Sequence, residues 1–472
     1  MADPLGVVIH WFRRDLRIAD NRALFSAASA AGTVVPAYIL SDWSGGHLWT
    51  GSKRQAFLCG CLESLDRNLS TVGGRLILRT GDPVSELEKL ILETKAEAIF
   101  YNRDPDPHGR AVEERLHAMT ERLGVECQPF HDTTMHGPDA VLTQNGEPYR
   151  VYTPYSRNWL NLEKEKPLPK PSNLKTPVTI SSLDLPTNKQ WQIPEPDAQI
   201  IASGERAAHD RLREAVGQRL ETYDENRDNP AVSGTSRISQ DLRFGLLSPR
   251  TVFAAASKAM ARTGGPTSGY EKFIKELAWR EFYMAILWHY PNILNEEFNP
   301  DWRGLWWQEP NENFEAWKNG RTGFPIVDAG IRELLATGYM HNRVRMIVAM
   351  FLTKDLHIDW RLGEQFFMQH LIDGEIASNN GGWQWSAGTG ADAAPYFRIQ
   401  NPWTQAKRHD SEGIYTKRWV PELAEVPTRL LFEPPLDGKP IARNYPLPCV
   451  DHHTERNRTL EIFKKHRQSL GR

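Results

Sequence analysis

The densest set of reactive side chains lies between residues 373 and 385. Asp373 and Glu375 are two carboxylates that can accept hydrogen bonds from ribose hydroxyls or from the N–H edge of a ring. The Asn-Asn-Gly-Gly string at 379–382 is typical of a turn, because both residue types tolerate positive φ. Trp383 and Trp385 follow at once, which a turn alone does not explain.

A hydroxyl-rich string at 234–239, Gly-Thr-Ser-Arg-Ile-Ser, precedes a helical pattern. Its hydroxyls, its arginine and the free N–H groups of a helix start suit a phosphate or pyrophosphate. A Thr or Ser helix cap explains the same residues without a ligand. No G-x-G-x-x-G string is present, so an ordinary dinucleotide site lacks support.

Two further strings carry polar side chains on helical patterns. Glu276 and Arg280 stand four residues apart, where a surface ion pair is the plain interpretation. Asn342, Arg345 and Met346 share one face of another helix. A methionine there is typical of core filling, and arginines are typical of a charged surface, so neither string indicates chemistry by itself.

These strings need elements that position them. Residues 5–130 alternate short β-branched runs with helical patterns, which predicts a doubly wound, mostly parallel α/β sheet with ligands at the carboxyl ends of its strands. We predict a Rossmann-like domain over 1–132 and a proline-rich interdomain segment over 133–203. Helical periods dominate afterwards, so we predict an all-α domain over 204–472.

Composition limits the classes of protein. The 472 residues carry a formal net charge of −2, with 40% hydrophobic and 25% charged residues, which excludes collagen-like, coiled-coil and disordered chains. The longest apolar run is too short to span a bilayer, and four scattered cysteines match neither a disulfide framework nor an iron–sulfur site. We therefore predict a cytoplasmic protein with no membrane contact and no metal. The charge gives no global sign of a nucleic-acid partner.

Taken together, the strings resemble the photolyase/cryptochrome family from end to end. The opening at 8–17 is similar to the family's first strand and turn. Six further strings follow in the family's order, at 234–239, 279–283, 323–329, 340–343, 379–385 and 396–402. The resemblance implies an N-terminal α/β antenna domain and a C-terminal helical domain that binds FAD.

The resemblance also implies which residues hold the FAD. Asn379 would face the flavin N5, where a neutral amide stabilises the reduced ring. The family usually has Asp where Glu375 stands, and the longer side chain keeps the charge. The implied FAD-binding residues are Tyr223, Thr235, Ser236, Arg237, Ile238, Ser239, Phe273, Glu276, Arg280, Arg345, Asp373, Glu375 and Asn379.

Further roles follow from the same motifs. Trp383, Trp360 and Trp307 match the family's electron relay, with Trp306 directly beside the outermost member. The implied catalytic residues are Glu276, Asn342, Met346 and Asn379. The implied DNA contacts are Arg227, Trp279, Asn342, Arg343, Met346, Trp385, Gln405, Lys407 and Arg408.

The implied activity is light-driven repair of UV-damaged DNA. Excited reduced FAD would give an electron to a cyclobutane pyrimidine dimer, which must first leave the base stack, as is general for photolyases. Asn342 and Met346 resemble the branch of the family that repairs these dimers, most like the bacterial enzymes, whereas the (6-4) photolyases carry a histidine-containing string there. A cryptochrome-type photoreceptor, a (6-4) photolyase and an ATP-binding ligase or transferase remain alternatives.

A second, light-harvesting chromophore is also implied. The string at 102–110 follows the predicted strand at 98–101, and it resembles members that use a deazaflavin. Asp104 and Asp106, helped by Arg243, would then bind 8-hydroxydeazaflavin, with FMN and methenyltetrahydrofolate as alternatives. We expect a monomer without an obligate protein partner.

Overall fold

A parallel β-sheet forms the N-terminal part of the protein. The computed structural model describes residues 5–41, 49–193, 200–393, 395–435 and 438–471. Five strands, all parallel, lie in the order β3-β2-β1-β4-β5. Their bounds are β1 (Leu5–Phe12), β2 (Ala31–Leu40), β3 (Ile77–Thr80), β4 (Ala98–Asn102) and β5 (Glu126–Phe130).

Both faces of the sheet are covered by apolar side chains. Val8 and Ile9 are neighbours on β1, but they point to opposite faces and enter different buried clusters. Val8 packs in the cluster that contains Leu24 and Leu62, and Ile9 packs with Leu87. The predicted doubly wound α/β fold is therefore confirmed for this part of the chain.

Helices connect the strands and, together with loops, form the rest of the described chain. In the first part they are α1 (Arg22–Ala30), α2 (Ser52–Ser70), α3 (Pro83–Thr94), α4 (Pro107–Leu123) and α5 (Tyr152–Asn161). The next are α6 (Glu205–Gln218), α7 (Tyr223–Asn226), α8 (Ser239–Arg243), α9 (Pro249–Arg262) and α10 (Ser268–His289). The last are α11 (Glu312–Lys318), α12 (Pro325–Thr337), α13 (Asn342–Met350), α14 (Trp360–His370), α15 (Ile376–Ala387), α16 (Pro402–His409), α17 (Ile414–Trp419) and α18 (His452–Ser469).

Local sequence sets several helix ends. Asn21 caps α1 by accepting a hydrogen bond from the N–H of Leu24 at 3.0 Å. Asp82 caps α3, and Pro83 occupies its first position, where no N–H is needed. The starts of both helices therefore have a cause in the local sequence.

The helical part has its own apolar core. This core is built mainly from α12 to α15, and it includes Trp317, Trp360 and Trp383. A π-helical turn at Phe351–Asp355 extends α13. Within the described ranges, no helix combines the length and apolarity that crossing a membrane requires.

Buried charges join the two parts. Arg250, at the start of α9, is fully buried and binds Asp20 at 3.0 Å and Asp132 at 2.5 Å. Glu205 accepts the N–H groups of Ile18 and Ala19, both at 3.1 Å. These contacts fix the sheet against the helical part, so the carboxyl end of β1 lies close to the helices described next.

The segment at 133–203, predicted to lie between two domains, includes a packed element. Helix α5 packs against α10, and the Trp159 indole donates to Glu281 at 2.7 Å. The bounds 1–132, 133–203 and 204–472 stay predictions.

Candidate active site

A cavity of about 500 Å³ lies where α7, α8, α10, α13 and α15 converge. Its volume is within the range of small-molecule and cofactor sites. The walls bring together residues that are far apart in the sequence. The predicted site residues that line it are Tyr223, Arg227, Thr235, Ser236, Ile238, Ser239, Arg243, Phe273, Glu276, Trp279, Arg280, Asn342, Arg343, Arg345, Met346, Asp373, Glu375, Asn379, Trp383 and Trp385.

One wall is the hydroxyl-rich string before α8. The Ser239 hydroxyl donates to Asp373 at 2.6 Å, and Arg345 donates to both carboxylate oxygens of Asp373 at 3.1 and 2.8 Å. Asp373 is thereby fixed in place with its charge neutralised. This arrangement fits a ligand that carries hydroxyls and phosphate, because the string supplies donors while Asp373 supplies an acceptor.

Arg237 departs from its neighbours. Its backbone is left-handed, with φ of 58°, and its guanidinium lies 3.5 Å from the centre of the Tyr339 ring. The side chain lines a different cavity, which among the predicted FAD-binding residues only Thr235 shares with it.

The floor of the cavity is a buried group of charges. Glu375 forms an ion pair with Arg14 from the end of β1, and Arg280 lies 3.9 Å away. Burial disfavours the charge on Glu375, yet Arg14, Arg243 and Arg280 together hold the pKa of its carboxyl below the usual value. Its Oε1 atom has no hydrogen-bond partner among the described residues. A buried anionic oxygen of this kind fits an N–H donor on a flat ring.

The prediction of a turn at 379–382 is wrong, because these residues lie inside α15. Gly381 is there for packing: a Cβ atom at this position would lie 2.1 Å from the Tyr283 ring of α10. Without a side chain at 381, α10 and α15 approach closely. The amide of Asn379 donates to the Glu364 carbonyl at 3.0 Å, which orients it at the cavity wall.

The predicted ion pair between Glu276 and Arg280 is also wrong. Glu276 pairs instead with Arg227 from just after α7. Arg280 donates to the carbonyl of Thr133 at 2.6 Å and leans toward the floor of the cavity. Tertiary partners outcompete the pair within the helix, which is worth only about 0.2–0.5 kcal/mol.

Aromatic and basic side chains share another part of the wall. Trp279 is stacked on Tyr152 of α5, with ring centres 3.5 Å apart and planes at 8°. Arg343 binds Asp228 at 2.8 Å and contacts the Met346 sulfur at 3.7 Å. A flat base can stack on a fixed indole face, so this part of the wall suits nucleobases.

Two of the three relay candidates are deeply buried. Trp383 is 2% exposed and Trp360 is fully buried, and both belong to the apolar core against which Trp307 packs. Trp306, the neighbouring candidate, is 49% exposed. The packing therefore favours Trp307 as the outer member. The Trp360 indole donates to Glu297 at 3.2 Å, whereas the Trp383 indole N–H has no partner among the described residues.

Three predicted DNA contacts lie outside the cavity. Gln405, Lys407 and Arg408 are on α16, where Lys407 and Arg408 are exposed. Their side chains are available to a long ligand that extends beyond the cavity.

Of the predicted antenna residues, Arg243 lines the cavity, whereas Asp104 and Asp106 lie next to its floor and bind Arg14. Asp104 and Asp106 accept hydrogen bonds from Arg14 at 3.0 and 3.1 Å, and Arg243 donates to the Gly374 carbonyl at 2.8 Å. The carboxylates are therefore engaged with Arg14, the same side chain that holds Glu375. These contacts neither support nor oppose the binding of a second chromophore by Asp104 and Asp106, so the antenna role stays a prediction.

Arg14 and Tyr152 hold residues of the site from outside the cavity lining, and neither was predicted. Arg14 stands at the carboxyl end of the central strand, and that position is the signal that could have identified it. Tyr152 lies in a segment that was interpreted as a linker, and no sequence signal connects it with Trp279.

Comparisons with known proteins agree with this geometry. The family model described as DNA photolyase matches residues 8–172, and the FAD binding domain of DNA photolyase matches residues 273–465. The Synechococcus deoxyribodipyrimidine photo-lyase is 38% identical over 100% of this chain and 98% of its own length.

Three solved structures are similar over nearly the whole chain. A class III photolyase from Agrobacterium tumefaciens has a TM-score of 0.92 at 38% identity, covering 99% of both chains. A Sulfolobus tokodaii photolyase with two FAD molecules has a TM-score of 0.86 at 30% identity, covering 97% of this chain and 100% of its own. A Synechocystis cryptochrome has a TM-score of 0.87 at 29% identity, covering 98% of this chain and 100% of its own. The chain belongs to the DNA photolyase family.

Proposed function

We propose that this chain is a deoxyribodipyrimidine photo-lyase that uses light to split cyclobutane pyrimidine dimers in DNA. One observation carries the proposal: a single cavity combines a base-stacking wall at Trp279 and Trp385 with a polar floor at Asp373 and Glu375. The first suits a flipped-out lesion and the second a flavin. The relatives that share the whole length of the chain carry this activity in their names.

FAD fits the polar groups that line the cavity. Thr235, Ser236 and Ser239 would receive the phosphates and ribityl chain, and Asp373 would accept hydroxyl donors. The unpaired Oε1 atom of Glu375 would accept the ring N–H, and Asn379 would lie against the ring. When bound and reduced, FAD supplies the electron that a dimer needs and takes it back after the bonds open.

The protein's own task is to bind and orient the lesion. Trp279 and Trp385 provide flat walls that replace part of the stacking lost when the dimer leaves the duplex. Asn342 can hydrogen-bond a base edge, and Met346 fills space beside it. Glu276 has one oxygen bound by Arg227, so its other oxygen is open to a base N–H.

Basic side chains would hold the DNA strand. Arg227 and Arg343 lie at the cavity, and Gln405, Lys407 and Arg408 extend the surface along α16. Phosphate contacts of this kind position a duplex without reading its sequence. The net charge of −2 is compatible with this task, because only a local face needs to be basic.

A cryptochrome-type photoreceptor is the second candidate, because a cryptochrome shares this fold over nearly the whole chain. The two functions differ in one outcome. A photoreceptor predicts light-driven reduction of its flavin without dimer repair.

The remaining parts of the proposal concern the second chromophore and the state of the protein. We keep 8-hydroxydeazaflavin as the preferred antenna over FMN or methenyltetrahydrofolate, and an absorption spectrum of the purified protein tests it. A monomeric state and a cytoplasmic location stay predictions from the sequence.

Repair of a defined substrate tests the function. Reduced, FAD-loaded protein is mixed with an oligonucleotide that carries one thymine dimer and is exposed to blue light, with a dark sample as control. We expect the dimer to disappear only in the light, as measured by chromatography of the digested DNA. An unchanged dimer beside a normally photoreduced flavin would favour the photoreceptor instead.

A further inference from the structure

A second cavity, of about 620 Å³, lies on the other side of the hydroxyl-rich string. Thr235 lines both cavities, so one turn of the chain separates them. The second cavity is formed by residues of α6, the end of α12 and α17. None of the proposed steps of flavin or lesion binding uses it.

Positive charge dominates this cavity. Four arginines line it: Arg211, Arg219, Arg237 and Arg418. The first two are paired with Asp241 and Glu214. Within the described ranges, neither Arg237 nor Arg418 forms an ion pair, and Arg418 has only a 3.4 Å contact with the Ala231 carbonyl. Two guanidinium groups are therefore available to an anion.

The carboxylate that faces Arg237 is Glu333, and it offsets only part of this charge. Its carboxylate accepts hydrogen bonds from the Tyr415 hydroxyl at 2.7 Å and from the backbone N–H of His341 at 3.1 Å. Burial raises the pKa of Glu333 above its ordinary value.

Two hydrogen-bond donors in the lining are unsatisfied. His341 is 5% exposed, and burial lowers its pKa to about 4, so the ring is neutral. Its Nδ1 accepts the Arg343 N–H at 3.2 Å, which leaves the hydrogen on Nε2. In the part of the chain that the structure describes, neither His341 Nε2 nor the Trp419 indole N–H has a partner. Buried donors without partners are costly, and an anionic ligand would satisfy them.

We propose that this cavity binds a small phosphate-bearing molecule of nucleotide size, separately from FAD. Its phosphate would lie between Arg237 and Arg418, and its ring would lie against the Trp419 indole. The two arginines and the unsatisfied N–H donors select the anion, while the volume exceeds what free phosphate needs. The proposal does not depend on dimer repair.

Titration calorimetry of the FAD-loaded protein tests the site. The probes are adenosine 5′-monophosphate, inorganic phosphate and uncharged adenosine, and the flavin absorbance is checked before and after for displaced FAD. We expect the monophosphate to bind with FAD retained, inorganic phosphate to bind more weakly, and adenosine not to bind. Failure of the monophosphate to bind at millimolar concentration, or binding only with release of FAD, overturns the proposal.

Variants locate the site. Arg418→Gln removes one guanidinium and should weaken monophosphate binding about tenfold, as expected for a charged hydrogen bond. Trp419→Ala should weaken the monophosphate more than inorganic phosphate, because it removes the ring-stacking face as well as the indole N–H donor. Arg429→Gln changes an exposed arginine outside the cavity and serves as the matched control. Equal affinity in the Arg418→Gln and control variants would contradict the assignment.

A DNA phosphate could occupy the same donors. To distinguish a DNA phosphate from a small phosphate-bearing molecule, the affinity of each variant for an oligonucleotide is measured as well. If Arg418→Gln weakens the oligonucleotide while the monophosphate binds to no variant, the cavity belongs to the DNA surface and the small-molecule proposal fails.

Discussion

Tryptophan side chains differ sharply in their surroundings across the site. Trp383 lines the flavin cavity and lies against Phe367, with ring centres 4.9 Å apart. Gly363 permits this packing, because a Cβ atom there would lie 2.2 Å from the Trp383 ring. The indole is thus held between the cavity and the core that contains Trp360, which is the placement that the predicted relay needs.

Replacing Trp383 with Phe tests its relay role. Phenylalanine keeps an aromatic ring but is much harder to oxidise, so we expect photoreduction of oxidised flavin to be lost while repair by prereduced protein persists. The measurements are flavin absorbance under blue light and dimer content of the DNA.

Trp306→Phe and Trp307→Phe provide the comparison at the outer end. We expect only Trp307→Phe to impair photoreduction, since Trp306 is largely exposed. Loss of repair by the prereduced Trp383→Phe protein would contradict the relay role.

Tyr152 holds the indole of Trp279 by stacking, so it should act as a positioning residue for lesion binding. Tyr152→Ala removes the support, and we expect about two- to tenfold weaker binding of dimer-containing DNA, the range measured for aromatic pairs. Tyr152→Phe should restore the affinity because the ring remains.

Affinity for undamaged DNA and flavin content should change little in Tyr152→Ala, whereas the melting temperature should fall because Tyr152 is part of the buried core. A uniform loss of affinity for damaged and undamaged DNA would show a general structural role instead.

At the level of single residues, the sequence motifs predicted most of the polar and aromatic side chains that line the cavity. The cavity contains the predicted residues around 235–239, 342–346 and 373–385. Arg237 differs because its left-handed backbone turns the side chain to the opposite side, which no side-chain pattern indicates. Arg14 and Tyr152 were missed because their roles depend on partners far away in the sequence.

Among the elements, α15 shows why local patterns fail. Two consecutive glycines weaken a helix and favour a turn, yet here close packing on α10 outweighs that preference. The strands of the sheet were predictable because their apolar runs are short, β-branched and separated by helical periods. Tertiary packing therefore determines the conformation of α15, whereas the local sequence pattern is enough to predict the strands.

Helix α14 carries a buried acid beside the flavin cavity. Glu364 is 1% exposed, and burial raises the pKa of its carboxyl to about 8. The folded protein therefore binds more protons than the unfolded chain between about pH 4 and 8, so its stability falls as the pH rises through this window.

Glu364→Gln should remove that dependence. We expect the variant to match the wild type near about pH 4 and to gain stability over it toward about pH 8, by on the order of a few kcal/mol. Urea unfolding at several pH values measures this difference. Glu114→Gln, a change at an exposed acid of α4, should follow the wild type. Parallel curves for Glu364→Gln and wild type would show that Glu364 is ionised in the fold.

For the whole molecule, the decisive feature is the ion pair between Arg14 and Glu375. It joins the sheet to the cavity floor, and Arg14 also binds Asp104 and Asp106. Removing one partner of a buried pair leaves uncompensated charge and costs about 3–5 kcal/mol.

Arg14→Gln should therefore lower the free energy of unfolding by about that amount and weaken FAD binding. Urea denaturation and flavin release on dilution measure the two effects. The double variant with Glu375→Gln should recover part of the stability, because the orphaned charge is gone. Unchanged flavin affinity in Arg14→Gln would mean that Glu375 does not contact the ring.

The same ion pair constrains how the protein is made. Arg14 and Glu375 are 361 positions apart, so the first strand leaves the ribosome long before its partner is synthesised. The cavity floor cannot close until α15 has emerged, and a nascent chain that ends before residue 375 has no complete site for the flavin. Cofactor capture is therefore a late, essentially post-translational event, and stalled or truncated chains should accumulate colourless.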